Sequence, residues 1–305
     1  MKLKNSFHLY AAASILLFSL VYILTRFLVS VLSPFALAFW RFLFASVALL
    51  VIMFAQKTPL PKKKDWKYFI IAGGIGFFMH VVLFNIVSQG MPAATSSMIL
   101  STIPIVTALG AGIVFKEKLL MVQWVSLVVA FIGIVLLSLS HGNVVLSKSV
   151  LILLVVAIDM AVYNLLQHHL TLTYTSFEAS AYSILMGALM FCVFIPTGIR
   201  EAANLTFMNW VCVALLGVVS TAFGYMAWSK AFSLAKDTSS VSNYMFLIPI
   251  FTTVIGIFTL NEIPKPLTLI GGGIVLLGLA LFYYPGIKAR RQSQKMAAVA
   301  EEKPA

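Results

Sequence analysis

Ten apolar segments follow one another along the chain, each close to the ~20 residues that a helix needs to cross ~30 Å of hydrocarbon. The connections between them are too short for a soluble domain, and the alternating ten-residue pattern of a membrane β-barrel is absent. A helix satisfies its own backbone hydrogen bonds in lipid, so the pattern predicts an all-α membrane protein with ten transmembrane helices. The segments cover residues 8–29, 34–55, 67–89, 93–115, 121–139, 149–168, 177–197, 207–229, 239–260 and 266–285.

The ten segments form two copies of five. The matched residues, each pair 145 positions apart, are Pro104 with Pro249, Glu117 with Glu262, and Gly133 with Gly278. Repeats of this size are typical of duplicated transporters. Five is an odd number, so the second copy must enter the membrane from the opposite side. The sequence therefore predicts two inverted five-helix repeats, 1–145 and 146–287, and a polar tail, 288–305, that we expect to be disordered.

Composition and charge place the chain in a membrane. Hydrophobic residues make up 61% of it and charged residues 10%, against ~25% charged residues in soluble domains. The net charge of +12 does not indicate nucleic-acid binding, because the charges are sorted by side. If the N-terminus is cytoplasmic, the outer connections receive only Arg26, Lys148, Arg200 and Lys265. This positive-inside pattern predicts a multi-pass protein of the cell membrane with both termini in the cytoplasm.

Several motifs together resemble one transporter family. They are Ser33-Pro34-Phe35 and Trp40-Arg41-Phe42 in the second segment, Gly224-Tyr225-Met226-Ala227-Trp228 with Ala231 in the eighth, and the two Ile-Pro pairs that lead to Glu117 and Glu262. Over about residues 9–285 the chain resembles the EamA-type transporters of the drug/metabolite transporter superfamily. The resemblance implies a gradient-driven exporter of amino acids or other small metabolites. One departure is Phe18-Ser19, where the family commonly has Trp-Gly.

Pro104 and Pro249 are the first candidates for a substrate site. Proline lacks an N–H and clashes with the carbonyl four residues earlier, here that of Leu100 or Met245, which is then available to a ligand. A matched pair of interrupted helices indicates a site near the bilayer midplane, where the two copies meet. The alternative is a shared kink that serves packing alone.

Asp159 is the candidate with the strongest single argument. It lies near the middle of the sixth segment, where a carboxylate costs at least ~2.5–3.5 kcal/mol, so we expect it to face the bundle interior. There it would bind a substrate ammonium or couple transport to protons. The alternative is a carboxyl that is hydrogen-bonded to a neighbouring helix.

Other polar and aromatic residues at membrane depth complete the predicted substrate site: Tyr22, His80, Asn85, Ser97, Tyr163, Trp228 and Asn243. Tyr and Trp also populate membrane interfaces, and a single His is often a packing residue. Arg41 is the only cation well inside a segment, and we favour a structural pairing for it over substrate binding. For Glu117 and Glu262, at segment ends, we favour capping or ion pairing.

The sequence therefore predicts a secondary transporter, not an enzyme, that exports a small metabolite such as an amino acid or amine by alternating access. No P-loop and no metal-ligand spacing is present, so we expect a gradient to supply the energy and expect no cofactor. The expected partners are a small-molecule substrate, the lipid bilayer and, if Asp159 titrates, protons. Two alternatives stay open: a membrane-embedded enzyme and a non-transporting structural membrane protein. The sequence does not set the substrate, the coupling ion or the oligomeric state.

Overall fold

A computed structural model of the chain describes residues 7–115, 120–139, 148–234, 241 and 243–301. These residues form helices and no strands, which confirms the all-α class. We number the helices α1 (Phe7–Leu28), α2 (Pro34–Gln56), α3 (Lys63–Ser88), α4 (Ala93–Leu100 and, after a break, Ile103–Phe115), α5 (Met121–Leu139), α6 (Lys148–Thr171), α7 (Ser176–Ala202), α8 (Phe207–Leu234), α9 (Asn243–Leu247 and Ile248–Leu260) and α10 (Pro266–Glu301).

Length and composition divide these helices into two groups. Within the described residues, α1, α2, α3, α6, α7 and α8 are long and apolar enough to cross a membrane, and α4, α5, α9 and α10 contain shorter apolar helices. Large hydrophobic side chains such as Phe54, Phe207 and Phe258 are more than four-fifths exposed on the outside of the bundle. Such a surface requires lipid around it, which supports a multi-pass membrane protein.

Polar caps set where the second helix of each half begins. The Ser33 hydroxyl accepts a hydrogen bond from the Ala36 N–H at the start of α2. At the start of α7, Thr175 and Glu178 form a reciprocal capping box. Both arrangements satisfy N–H groups that the first helical turn leaves without intrahelical partners.

Glycines bring pairs of helices into close contact. A Cβ at Gly133 on α5 would lie 2.7 Å from the Val275 backbone nitrogen on α10, and one at Gly278 would lie 2.7 Å from the Ala130 nitrogen. Gly73 on α3 meets Gly187 on α7 in the same way. Small residues at such crossings let the backbones approach, which is how membrane helices pack without a hydrophobic driving force.

The two halves of the chain interlock. The first helix of each half packs against the fourth helix of the other, α1 against α9 and α6 against α4. α1 and α9 run in the same direction, because His8 hydrogen-bonds to Tyr244 at one end and Arg26 pairs with Glu262 at the other. Each half therefore contributes helices to the same central region.

The C-terminal tail differs from the sequence expectation. The structure continues α10 as helix to Glu301, whereas the sequence predicts disorder over 288–305. Residues 288–301 are rich in Ala, Lys, Arg and Gln, which have high intrinsic helix propensity and extend a helix that is already nucleated.

Candidate functional site: a central cavity

A cavity lies inside the bundle between helices of both halves. About 530 Å³ of space lies between its lining atoms, part of which is open to the surroundings. Its walls are mostly aromatic and aliphatic with a few polar groups, a composition typical of sites for small organic molecules. The lining comprises Phe18, Val21 and Tyr22 of α1, Arg41 of α2, His80 and Phe84 of α3, Leu100 and Ile103 of α4, Met160 of α6, Tyr225 and Trp228 of α8, and Met245 and Ile248 of α9.

The proline-interrupted helices supply matched parts of this wall. α4 breaks between Leu100 and Ile103, and α9 changes from a 3₁₀ turn to an α-helix at Ile248. Leu100 and Met245, whose carbonyls lose a donor to Pro104 and Pro249, both line the cavity. The two prolines are themselves buried outside the lining. They shape the cavity through the residues that precede them.

A second matched feature is a π-helical segment in the third helix of each half. These segments are Gly74–Met79 in α3 and Leu215–Phe223 in α8. His80 follows the first and Tyr225 follows the second, 145 positions apart, and both line the cavity. π-helices are rare and frequently occur at functional sites, because the wider turn redirects the side chains that follow.

Arg41 brings a cation to the cavity wall. Its side chain is 3% exposed, and its Nε donates a 2.7 Å hydrogen bond to the Thr221 hydroxyl on α8. α2 and α8 approach closely enough because Gly217 lies between them, where a Cβ would be 2.5 Å from the Arg41 carbonyl oxygen. Among the described residues no carboxylate lies within ion-pairing distance of Arg41. Its isolation as the only cation deep in an apolar segment is the sequence signal that pointed to it.

Three of the predicted site residues line the cavity: Tyr22, His80 and Trp228. His80 and Arg41 lie in the wall of the same cavity. His80 Nδ1 is buried and has no hydrogen-bond partner within the described chain. The first half thus contributes two polar groups, Arg41 and His80, that have few or no hydrogen-bond partners among the described residues.

Three other predicted residues lie outside the cavity lining. Asn85 donates a 2.9 Å hydrogen bond to the Pro34 carbonyl and joins α3 to α2. The Ser97 hydroxyl bonds to the Ala94 carbonyl of its own helix. Tyr163 is fully buried against Gly76 and packs edge-on to Phe77. All three side chains are thus in contact with other protein groups, and sequence spacing alone does not separate Tyr163 from Tyr22.

Asp159 is buried but does not line the cavity, although its neighbour Met160 does. Consecutive residues of a helix point ~100° apart, so this difference follows from the rotation of α6. Asp159 Oδ2 accepts no hydrogen bond within the described residues. Asn243 lies in the first turn of α9, but its side chain is outside the described part of the structure, as is Glu117.

Glu262 ties together one end of the bundle. One carboxylate oxygen accepts a 2.8 Å hydrogen bond from Arg26 Nε, and the other accepts one from the Ala93 N–H at the start of α4. Arg26 also donates to the carbonyls of Ser88 and Gln89 at the end of α3. The arrangement agrees with the interpretation of Glu262 as an ion-pairing and capping residue.

A buried neutral network was not identified from the sequence. Gln167 of α6 donates to the hydroxyls of Ser180 on α7 and Ser229 on α8, at 3.2 and 2.6 Å. Ser180 also donates to the Tyr225 carbonyl, so the network lies next to a cavity residue. Ser and Gln are common in helices, and nothing in their spacing marks this cluster.

Comparison with known proteins connects this geometry to a family. The EamA-like transporter family matches the chain twice, over residues 5–139 and 147–284. A "Probable terminal-alkyne amino-acid exporter" of Streptantibioticus cattleyicolor is 24% identical over 253 residues, 83% of this chain and 85% of that protein. An "S-adenosylmethionine uptake transporter" of Rickettsia prowazekii is 23% identical over 261 residues, 85% of this chain and 86% of that protein.

A crystal structure shows the same fold, with a TM-score of 0.67 at 17% identity over 93% of this chain and 97% of the other. The two family matches fall one in each half and together account for nearly the whole chain. The chain therefore belongs to the EamA-like transporter family.

Proposed function

We propose that the protein is a secondary transporter that carries a small amphipathic metabolite through the central cavity by alternating access. The observation that carries the proposal is the cavity itself, where proline-interrupted helices of both halves meet around an aromatic wall. Such interrupted helices at a repeat interface are typical of substrate sites in secondary transporters. The aromatic and aliphatic lining with a few polar groups suits a small amphipathic metabolite.

Amino acids and amines are the leading substrate classes, and export is the direction we favour. One relative is named as an exporter of an amino acid, and another is named for the uptake of S-adenosylmethionine. The two names differ in direction, so direction has to be measured in this protein. With no P-loop in the sequence, we propose that a gradient of substrate or of protons drives transport.

We also propose ten membrane crossings in two inverted repeats, 1–145 and 146–287, with both termini in the cytoplasm of a cell-membrane protein. The interlocking of α1 with α9 and of α6 with α4 supports a duplicated arrangement. Reporter fusions after residues 62, 143 and 295 should place the first and third inside and the second outside. Residues 143 and 295 on the same side would contradict this topology.

The transport proposal is tested by counterflow in proteoliposomes, with amino acids, amines, nucleosides and sugars as candidate solutes. Ile248→Trp fills the cavity, and Ile250→Trp on the same helix adds the same bulk at a half-exposed surface position. We expect saturable counterflow that falls at least about tenfold, or ~1.4 kcal/mol, in Ile248→Trp and not in Ile250→Trp. Absence of counterflow with every solute would contradict transport, and non-saturable flux would indicate a channel.

A further inference from the structure

The free edge of the Arg41 guanidinium is an unused binding group. Nε is bonded to Thr221, and neither terminal nitrogen makes a hydrogen bond to a described residue. The two terminal nitrogens are not fully buried, because no fully buried and unpartnered atom of Arg41 is found. Arg41 also belongs to the cavity lining, so these nitrogens are accessible there. Four of the five N–H donors of the guanidinium therefore remain available on the cavity side.

The orientation of this group is fixed by the π-helical segment of α8. The Thr221 hydroxyl donates a 2.8 Å hydrogen bond to the Leu216 carbonyl, five residues earlier, which leaves its lone pair for Arg41 Nε. The Phe42 ring lies 5.6 Å from the guanidinium carbon and adds a cation–π contact. Arg41 is thus held in one orientation before any ligand arrives.

The protein supplies no counter-charge to Arg41 within its described residues. Asp159, the carboxylate placed deep in a segment, lies outside the cavity lining and does not pair with Arg41. An unpaired cation inside a membrane is costly, and a planar guanidinium fork matches a carboxylate through two parallel hydrogen bonds. The missing anion is therefore best supplied by the transported solute.

The lining residues other than Arg41 carry no charge that would bind a second ionic group of the substrate. Tyr22, Tyr225 and Trp228 are neutral donors within the lining, and His80 adds an imidazole ring. The lining residues other than these four and Arg41 are apolar. An ammonium group would meet no carboxylate among the lining residues, only neutral groups such as the carbonyls of Leu100 and Met245 and the aromatic rings. The lining thus holds a charged partner for an acid group and an apolar wall for the rest of the solute, but no charged partner for an amine.

We propose that Arg41 anchors a carboxylate of the substrate, so that the transporter selects monocarboxylates with an apolar body and is indifferent to an accompanying amine. This inference rests on the proposed function, since it takes the cavity as the substrate site. It removes amines that lack an acid group from the proposed substrates and adds monocarboxylates that lack an amino group.

The test uses ligand triads that share one body: phenylalanine, 3-phenylpropanoate and 2-phenylethylamine, and likewise leucine, 4-methylpentanoate and 3-methylbutylamine. Inhibition of counterflow and the thermal stabilisation of the purified protein are measured for each compound. In at least one triad, we expect the amino acid and the acid without an amino group to have apparent affinities within about tenfold of each other. We expect the amine that lacks the acid group to be inactive. Activity of the amines without the acids, or of none of the carboxylates, would overturn the proposal.

Variants then test whether carboxylate binding depends on the Arg41 guanidinium. We expect Arg41→Gln to weaken carboxylate binding on the order of 10- to 100-fold, and Arg41→Lys to weaken it less, because Lys keeps the charge but not the fork. Thr221→Val should weaken binding about tenfold through loss of orientation, with recovery in Thr221→Ser. Arg200→Gln, at an exposed position of α7, is the matched control.

The two proposals fail in different ways. Without counterflow of any solute in the wild-type protein, the transport function itself fails. Counterflow that is unchanged in Arg41→Gln overturns only the role of Arg41. If Arg41→Gln does not fold, carboxylate affinity is measured in Arg41→Lys, Thr221→Val and Thr221→Ser. Affinities equal to wild type in all three variants would overturn the proposal that Arg41 anchors the carboxylate.

Discussion

The two halves of the chain line the cavity with matched backbones and unmatched polar groups. Just after the π-helical segments, at positions 145 apart, the first half has His80 and the second has Tyr225. When α2 and α7 are aligned on their caps, Arg41 corresponds to Ser183, whose hydroxyl bonds to its own helix at Ala179. The duplication therefore preserved the framework, whereas the cation belongs to one half only.

The C-terminal ends of α1 and α6 also carry different polar contacts at nearly matched positions. On the two first helices, Arg26 and Gln167 lie at nearly matched positions, since Tyr22 and Tyr163 show the same 141-residue offset. Arg26 forms a partly exposed ion pair with Glu262, whereas Gln167 forms a buried neutral network with Ser180 and Ser229. Nearly matched positions of the two halves thus form contacts of different strength and salt sensitivity.

The largest expected effect comes from Gly217→Ala, which breaks the contact between the halves beside Arg41. The new Cβ would lie 2.5 Å from the Arg41 carbonyl oxygen, so α2 and α8 must separate. We expect a loss of about 1–3 kcal/mol in stability, together with loss of transport. Gly273→Ala, where nothing lies within 4 Å of the new Cβ, should leave the melting temperature and transport unchanged.

Pro104→Ala and Pro249→Ala test whether the two halves are equivalent in backbone. Each change restores an N–H donor to the carbonyl of Leu100 or Met245 and straightens a wall of the cavity. We expect similar losses of transport, about tenfold each or ~1.4 kcal/mol, with little change in membrane insertion. A loss confined to one of the two variants would show that only one interrupted helix serves the site.

Glu262→Gln tests the ion-paired end. The pair is 29% and 20% exposed on its two sides, so its contribution is about 0.2–1 kcal/mol and is reduced by salt. We expect that end of the cavity to become moderately more accessible to a membrane-impermeant thiol reagent. Exchanging the charges, as Arg26→Glu with Glu262→Arg, should restore part of the closure, and no recovery would argue against the pair as a closing contact.

Asp159→Asn should have the smallest effect on transport. Because Asp159 lies outside the lining, we expect a transport rate within about twofold of wild type and an unchanged dependence on pH. A transport rate that loses its pH dependence in this variant would return Asp159 to the coupling role that its depth suggested.

The repeat and its prolines could be predicted from the sequence because they leave a fixed spacing. The 145-residue offset identified Pro104 with Pro249, and the residues four positions earlier proved to line the cavity. The π-helical segments could not be predicted, because a change from i→i+4 to i→i+5 bonding leaves no sequence pattern. These segments rotate the residues that follow about the helix axis. The sequence alone therefore does not predict which of those side chains face the cavity.

The site residues show the same limit. Tyr22 and Tyr163 look equivalent in sequence, yet one lines the cavity and the other is packed against Gly76. Arg41 was visible as an isolated deep cation, but a long side chain can snorkel or pair, and only the structure shows that Thr221 is its partner. Residue type indicated which groups are costly in a membrane, whereas helix rotation decided which of them line the cavity.

The most direct test of the central claim, that both halves enclose one alternating-access cavity, is thiol labelling of a matched pair. Leu100→Cys and Met245→Cys are made in a chain with Cys192 and Cys212 replaced by Ala, and Ile250→Cys is the lipid-facing control. We predict that an impermeant reagent labels both cavity positions from either side of the membrane and that a transported solute protects both. Labelling from one fixed side only, or protection of neither position, would contradict the account.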